Sequence, residues 1–212
     1  QNSTQHKNYK HITLDLSDVD AVKNFVFEKH EAGKRMCLIN NAGALGIVNP
    51  VGKLSNEQII KDYNLNLIAP CLLMNNFISA YKGSSAEKII VNVSSGAGKT
   101  AIDGWSVYCT SKAGLDMCSK VIDAEQKSTA KYGFRVFSIA PGIVDTQMQT
   151  DIRSASKENF SRLNDFLNYK QSGQLADANS VAEKYFRILA DLSSIKEVVI
   201  SVKDYSPSPK IK

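Results

Sequence analysis

A chain of 212 residues with 43% hydrophobic content can bury one substantial core, and nothing in those numbers calls for a second domain. Its 26 basic and 21 acidic residues leave a net charge of +5 without any like-charge run, which argues against a nucleic-acid or membrane-surface patch. No apolar run approaches the roughly 18 residues that span a bilayer, the polar opening Gln1 to Lys10 is no secretory signal, and Cys37, Cys71, Cys109 and Cys118 fall in no metal-ligand spacing; the expectation is a cytoplasmic protein without a metal, its thiols serving as small core residues.

Short Ile- and Val-rich runs alternate with stretches of helical period, the pattern of a parallel sheet covered on both faces, so the class is α/β. His11 to Leu14 reads as the first strand, followed by Asp15-Leu16-Ser17 and a helix from Asp18 to about Ala32 with Ser17 as its N-cap. Met36 to Ile39 is the next strand. Ser55 and Gln58 form a capping box for a helix that continues, through a disturbance at Pro70, to about Tyr81. After a strand at Ile89 to Val93, a long helix from about Trp105 to Lys131 is expected to bury Ala113, Met117, Val121 and Ala124. Phe134 to Ile139 is a further strand, Asp177 caps a helix reaching about Leu192, and Val198 to Ile200 is the last strand. The organisation predicted is one domain over 1–205 and a disordered tail over 206–212. Between Thr146 and Ala176 the alternation stops, and Met148, Ile152, Phe160, Leu163 and Phe166 mark either a lid over a ligand site or a pair of surface helices, with the lid favoured.

Tyr108 and Lys112 stand four residues apart, on one helical face, where an ammonium can stabilise phenolate and lower the tyrosine pKa. About one such pair is expected by chance in a chain with eight tyrosines, so the spacing alone decides nothing. Ser95 adds weight because it ends the run Ile89-Ile90-Val91-Asn92-Val93, and a serine at a strand end can hold a carbonyl that Tyr108 protonates. Asn40-Asn41-Ala42-Gly43 and Pro141-Gly142 close two other strands with small residues that let a flat ligand approach the backbone, and Thr146 follows with a hydroxyl for an amide or phosphate. Each is an ordinary turn when taken singly.

Taken together, Asp15, Asn40-Asn41-Ala42-Gly43, Asn66, Ser95, Tyr108-x-x-x-Lys112 and Pro141-Gly142 resemble the short-chain dehydrogenase/reductase family in order and spacing. The resemblance implies a doubly wound, Rossmann-type parallel sheet and a single domain. It also implies a catalytic group of Ser95, Tyr108 and Lys112, with Asn66 holding a proton-relay water. Cofactor contacts would come from Asp15 and Leu16 at the adenine, Asn40, Asn41, Ala42 and Gly43 along the adenosine, Tyr108 and Lys112 at the ribose, and Pro141, Gly142, Val144 and Thr146 at the nicotinamide. Gly104-Trp105-Ser106-Val107-Tyr108-Cys109 and Ala140 to Gln149 are similar to the sepiapterin reductase branch and its bacterial and fungal relatives, some of which reduce 1,2-diketones. That similarity implies NADP(H), a small carbonyl substrate, and a homodimer or tetramer formed through the helices carrying Leu72 to Tyr81 and Trp105 to Lys131. Substrate contacts would come from Ser95, Gly96, Trp105, Tyr108, Gly142, Met148 and Ser201, although Trp105 reads equally well as plain core. One departure stands out: Ser201, with Asp204 three residues later, occupies the place where the pterin enzymes anchor substrate with an aspartate.

The family's glycine-rich diphosphate turn and first two strands have no counterpart here, so the sequence reads as a truncated form of the family domain, lacking the stretch that separates NADP from NAD users. The leading expectation is reduction of a conjugated ketone, diketone or pterin side-chain carbonyl. The alternatives are a catalytically silent, NADP-sensing regulator of the same fold and, with only the charge behind it, a nucleic-acid-binding domain.

Overall fold

The structure is a computed structural model that describes residues 8–28, 34–129 and 133–205. Its centre is a four-stranded, wholly parallel sheet in the order β1 (Arg35–Asn40), β2 (Glu87–Val93), β3 (Phe134–Ala140), β4 (Val199–Ser201). The registers pair Ile39 with Val91, Val93 with Ile139, and Ala140 with Ser201, so the carboxyl ends of all four strands lie along one edge. The central strands carry apolar runs because helices cover both faces, with buried Asn92 and Ser138 among the polar exceptions. Ile90 and Val136 pack with Met74, Phe77 and Leu115 on one side, and Ile89, Val91, Phe137 and Ile139 with Ile188 and Leu192 on the other.

The helices are α1 (Val19–Lys23), α2 (Asn56–Tyr63), α3 (Ala69–Tyr81), α4 (Ser106–Thr129), α5 (Gln147–Arg153), α6 (Leu163–Gln171) and α7 (Ala178–Ala190). Asp177 caps α7 as expected by accepting the Ser180 N–H, and Ser55 caps α2 by accepting that of Gln58, but the Gln58 side chain donates to Asp62 Oδ1 at 2.8 Å rather than completing the expected capping box. Asp177→Ala should therefore lower stability by about 1 kcal/mol, read as an earlier urea midpoint with an unchanged slope.

Several sequence expectations are corrected. His11 to Leu14 forms no strand, since a strand needs a ladder partner and this stretch has none among the described residues. Asp18, not Ser17, caps α1, because Ser17 turns back to donate to Asp15; α1 stops at Lys23, and residues 29–33 lie outside the described set. The helix after Ser55 is not one bent rod, since a π-helical turn at Asn64–Ile68 separates α2 from α3. Pro70 has no N–H for the carbonyl four residues back, that of Asn66, so the disturbance appears ahead of the proline.

The largest correction concerns the face of α4. Met117 and Val121 are 58% and 47% exposed, and Ala113 and Ala124 are exposed as well. The buried face instead carries Ser111, Lys112, Leu115, Asp116 and Ser119; Ser111 donates back to the Tyr108 carbonyl, and the other polar groups meet the sheet beneath. Ser138 Oγ donates to Asp116 Oδ1 at 2.6 Å, and Asn92 Nδ2 to Ser119 Oγ at 2.8 Å. A periodic apolar stripe misleads where the buried neighbours are hydrogen-bonding groups.

The excursion over 146–176 forms the two helices α5 and α6, which turn an apolar face inward and contribute to the cavity wall. A parallel bridge between Val144 and Ala176 closes the base of the excursion. Ile152, Phe160 and Phe166 from α5, α6 and their connection pack with Leu45, Trp105 and Tyr108 into a third apolar cluster. The tail over 206–212 lies outside the described residues.

Candidate active site

A cavity of about 980 Å³ opens along the carboxyl edge of the sheet, walled by the strand ends on one side and by α5, α6 and α7 on the other. Its lining is mainly apolar, with few convergent polar groups, the usual make-up of a small-molecule site. Ser95, Tyr108 and Lys112 all line it, and so do Asn41, Gly43, Gly96, Trp105, Pro141, Gly142, Val144, Thr146, Met148 and Ser201. Five further expected residues do not: Asp15, Leu16, Asn40, Ala42 and Asn66.

Ser95 leaves β2 and caps the short 3-10 turn Gly96–Gly98, its Oγ accepting the Ala97 N–H at 3.2 Å. That contact uses a lone pair and leaves the hydroxyl hydrogen to donate elsewhere. Tyr108 and Lys112 sit on the first turns of α4, 7% and 4% exposed. The Lys112 ammonium donates to the Val93 carbonyl at 2.9 Å and lies 5.7 Å from the centre of the Tyr108 ring. Burial pushes the Lys112 pKa down to about 8, against the carboxylate of Asp116, which favours the charged form. Burial also pushes Tyr108 up, and a hydrogen bond with Ser95 opposes the rise. The lowering of the tyrosine pKa expected from the Tyr-Lys spacing is not found: desolvation dominates, only Ser95 opposes it, and Tyr108 stays a protonated phenol at neutral pH.

Asn66 stands behind this wall, fully buried in the π-helical turn. Its side chain clamps the loop after β1, accepting the Ala44 N–H at 3.0 Å and donating to the Ala44 carbonyl at 2.8 Å. A Cβ on Gly43 would fall 3.0 Å from Asn66 Oδ1 and 3.4 Å from Lys112 Nζ, so only glycine leaves this stretch of cavity floor open. Asn40 turns into the sheet end, donating to Asn92 Oδ1 at 2.7 Å. Asp15 accepts both the N–H and the hydroxyl of Ser17 at 2.8 Å, which hold its carboxyl below the usual range.

Trp105 proves to be both wall and core. It stacks on Phe160 at 5.4 Å and meets Tyr108 edge-on at 5.8 Å, fixing the phenol between α4 and the α5–α6 excursion. Gly104, at φ +75, admits this close packing, since a Cβ there would lie 2.6 Å from the Asn159 carbonyl. Gly142 also has positive φ, +85, where the chain turns from β3 into the cavity rim. Sequence reasoning missed Lys99, Thr100, Gln149, Arg162, Tyr169 and Lys203 on the lining. They come from separate segments, and no local pattern joins them.

Three buried polar atoms of lining residues, Ser94 Oγ, Trp105 Nε1 and Gln149 Oε1, have no hydrogen-bond partner among the described residues. Such orphans mark a place where a ligand or water completes the structure. With the glycine floor and the apolar volume, they fit a flat polar ring system such as a nicotinamide and its ribose.

A parallel α/β sheet with a ligand-sized cavity across its strand ends is the arrangement of the doubly wound, Rossmann-type proteins. Within that class the chain belongs to the short chain dehydrogenase family, whose sequence pattern matches residues 1–157. It is 36% identical over 182 residues to a benzil reductase ((S)-benzoin forming) of Bacillus cereus, covering 84% of this chain and 73% of that protein. To sepiapterin reductase of Meriones unguiculatus it is 36% identical over 164 residues, covering 76% of this chain but 60% of that protein. The crystal structure of a short chain dehydrogenase/reductase from Saccharomyces cerevisiae superposes with a TM-score of 0.75 at 27% identity, covering 91% of this chain and 76% of that one. No described helix is long and apolar enough to cross a membrane.

Proposed function

We propose that the complete protein is an NADPH-dependent carbonyl reductase acting on small conjugated ketones, 1,2-diketones among them, with Tyr108 as the proton donor. The observation that carries this reading is the convergence of Ser95, Tyr108 and Lys112 on the wall of one largely apolar cavity at the strand ends. Relatives named for the reduction of benzil and of sepiapterin support the substrate class.

When bound, the nicotinamide supplies a hydride to the carbonyl carbon. The chain's own groups do the rest. Ser95 Oγ, already holding the Ala97 N–H, donates its hydroxyl hydrogen to the carbonyl oxygen and fixes its direction. Tyr108, kept protonated by burial, transfers its proton to the oxygen as negative charge develops there. The Lys112 ammonium, anchored on Val93, stabilises the phenolate left behind and holds the ribose over the Gly43 floor. Pro141, Gly142, Val144 and Thr146 would hold the nicotinamide end, and Asn41 and Gly43 on the lining, with Asn40, Ala42, Asp15 and Leu16 beyond it, would hold the adenosine. The Asn66 side chain is spent on Ala44, so its part in proton relay falls to its main-chain carbonyl, which Pro70 deprives of the usual helical donor. Met117 and Val121 on the outer face of α4 suit association of two copies through α3 and α4.

A panel of 1,2-diketones, simple ketones and pterins, assayed with NADPH and with NADH, tests the reading. It expects fastest turnover for a diketone with NADPH, and oxidation of neither cofactor by any member would overturn it. Ser201 lines the cavity where a pterin-anchoring carboxylate would stand. Ser201→Asp should raise affinity for a pterin about tenfold over its effect on a diketone, because only the pterin edge offers donors to a carboxylate. Equal effects on both would remove Ser201 from substrate contact.

A further inference from the structure

The cavity wall carries four cations, Lys99, Lys112, Arg162 and Lys203, and no carboxylate, although 21 of the chain's 212 residues are acidic. Two of the four have employment. Lys112 is bound to Val93, and Arg162 Nε is held by Asp165 at 3.0 Å. Lys99 and Lys203 have no ion-pair partner among the described residues; Lys99 follows Ser95 on the same strand end, whereas Lys203 comes from β4, its stem along Gly142 with Cε 3.5 Å from where a Cβ of that glycine would be. The adjacent acid, Asp204, is turned away, its Oδ2 accepting the Ser201 N–H at 3.2 Å. The pterin-type anchor is therefore not merely absent, since a cation faces the cavity from the same strand end.

The sheet register gives this cation a place relative to the reacting centre. Val93 pairs with Ile139 and Ala140 with Ser201, so Ser95, Gly142 and Lys203 follow one another across adjacent strand ends. Ser95 and Lys203 are thus two strand spacings apart, about 10 Å between backbones, within which a lysine side chain reaches a group bonded to the carbonyl carbon. Apolar and aromatic side chains, including Trp105, Phe166, Tyr169 and Met148, line the same cavity. A chamber with aromatic walls and an unpaired cation on the strand end two places from Ser95 suits a ligand with an aryl body and an anionic head.

We propose that the preferred substrate is an aryl 2-oxo acid, its keto oxygen on Ser95 and Tyr108 and its carboxylate paired with Lys203. This rests on the carbonyl-reductase reading and names its substrate class. The reaction adds hydride from the reduced nicotinamide to the keto carbon and the Tyr108 proton to the oxygen, giving the 2-hydroxy acid and oxidised nicotinamide while the carboxylate is unchanged. The other anion available to Lys203 is a cofactor phosphate, and the test separates the two.

The probes are phenylglyoxylate and 1-phenyl-1,2-propanedione, in which a neutral acetyl group replaces the carboxylate, assayed with NADPH and the complete protein. Lys203→Glu should lower the ratio of kcat/KM for the oxo acid to that for the diketone by at least about tenfold, chiefly through KM, and Lys203→Arg should recover most of it. Added salt should weaken the oxo acid's kcat/KM more than the diketone's. An unchanged ratio in Lys203→Glu overturns the proposal, as does a rise in KM for NADPH that is the same with either ketone, which would assign the cation to the cofactor. Turnover of the diketone without the oxo acid overturns this inference alone, whereas turnover of neither overturns it together with the carbonyl-reductase reading.

Discussion

Tyr108→Phe should cut diketone turnover by at least about 10²-fold while leaving NADPH affinity within about twofold, because only the transferable proton is removed. The ring keeps its edge-on contact with Trp105, so packing and cofactor site survive the change. Steady-state rates together with a direct cofactor titration check both halves. Near-normal turnover would take the proton from another donor, and lost cofactor binding would mean the hydroxyl holds more than the substrate.

Lys112 should fail differently. Lys112→Met should lower turnover by about 10²-fold or more and also weaken NADPH, since one ammonium is proposed to stabilise the phenolate and to hold the ribose. With a pKa pulled down to about 8, the wild-type cation is lost as pH rises through that value, so cofactor affinity should fall above pH 8 and the fall should be missing in the variant. Stability moves the other way. Between about pH 8 and the ordinary lysine pKa of 10.5, the unfolded chain binds more protons at this site than the folded one, so this group's contribution to stability rises with pH. Urea unfolding should accordingly show wild type gaining on Lys112→Met from pH 8 to pH 10. Cofactor binding that ignores both the substitution and the pH would remove Lys112 from the ribose.

What the sequence disclosed follows from which signals are local. β2 and β3 were legible because a strand buried on both faces reads as an Ile- and Val-rich run, and β1 and β4, though more exposed, carry short apolar runs as well. Ser95, Tyr108, Lys112 and Gly142 were legible because their spacings relative to strand ends survive in one dimension. The face of α4 was not, since its buried side chains are polar and their partners, Ser138 and Asn92, lie 22 and 27 residues away. The excursion over 146–176 was legible as a break in the alternation at a strand's carboxyl end, but its packing was not, since its phenylalanines gain meaning only against Trp105. The unpaired cation at Lys203 had no sequence signal at all, because Ser95 and Gly142, which give it significance, belong to other strands.

The central claim is that this cavity joins hydride and proton to one carbonyl. Its most direct measurement is reduction of a 1,2-diketone by the complete protein with NADPH deuterated at the transferable position, followed by mass spectrometry of the product. One non-exchangeable deuterium is expected on the new carbinol carbon for each cofactor oxidised, with loss of that product in Tyr108→Phe. Cofactor oxidation without deuterium in the product, or a deuterated product made equally well by Tyr108→Phe, would contradict the claim.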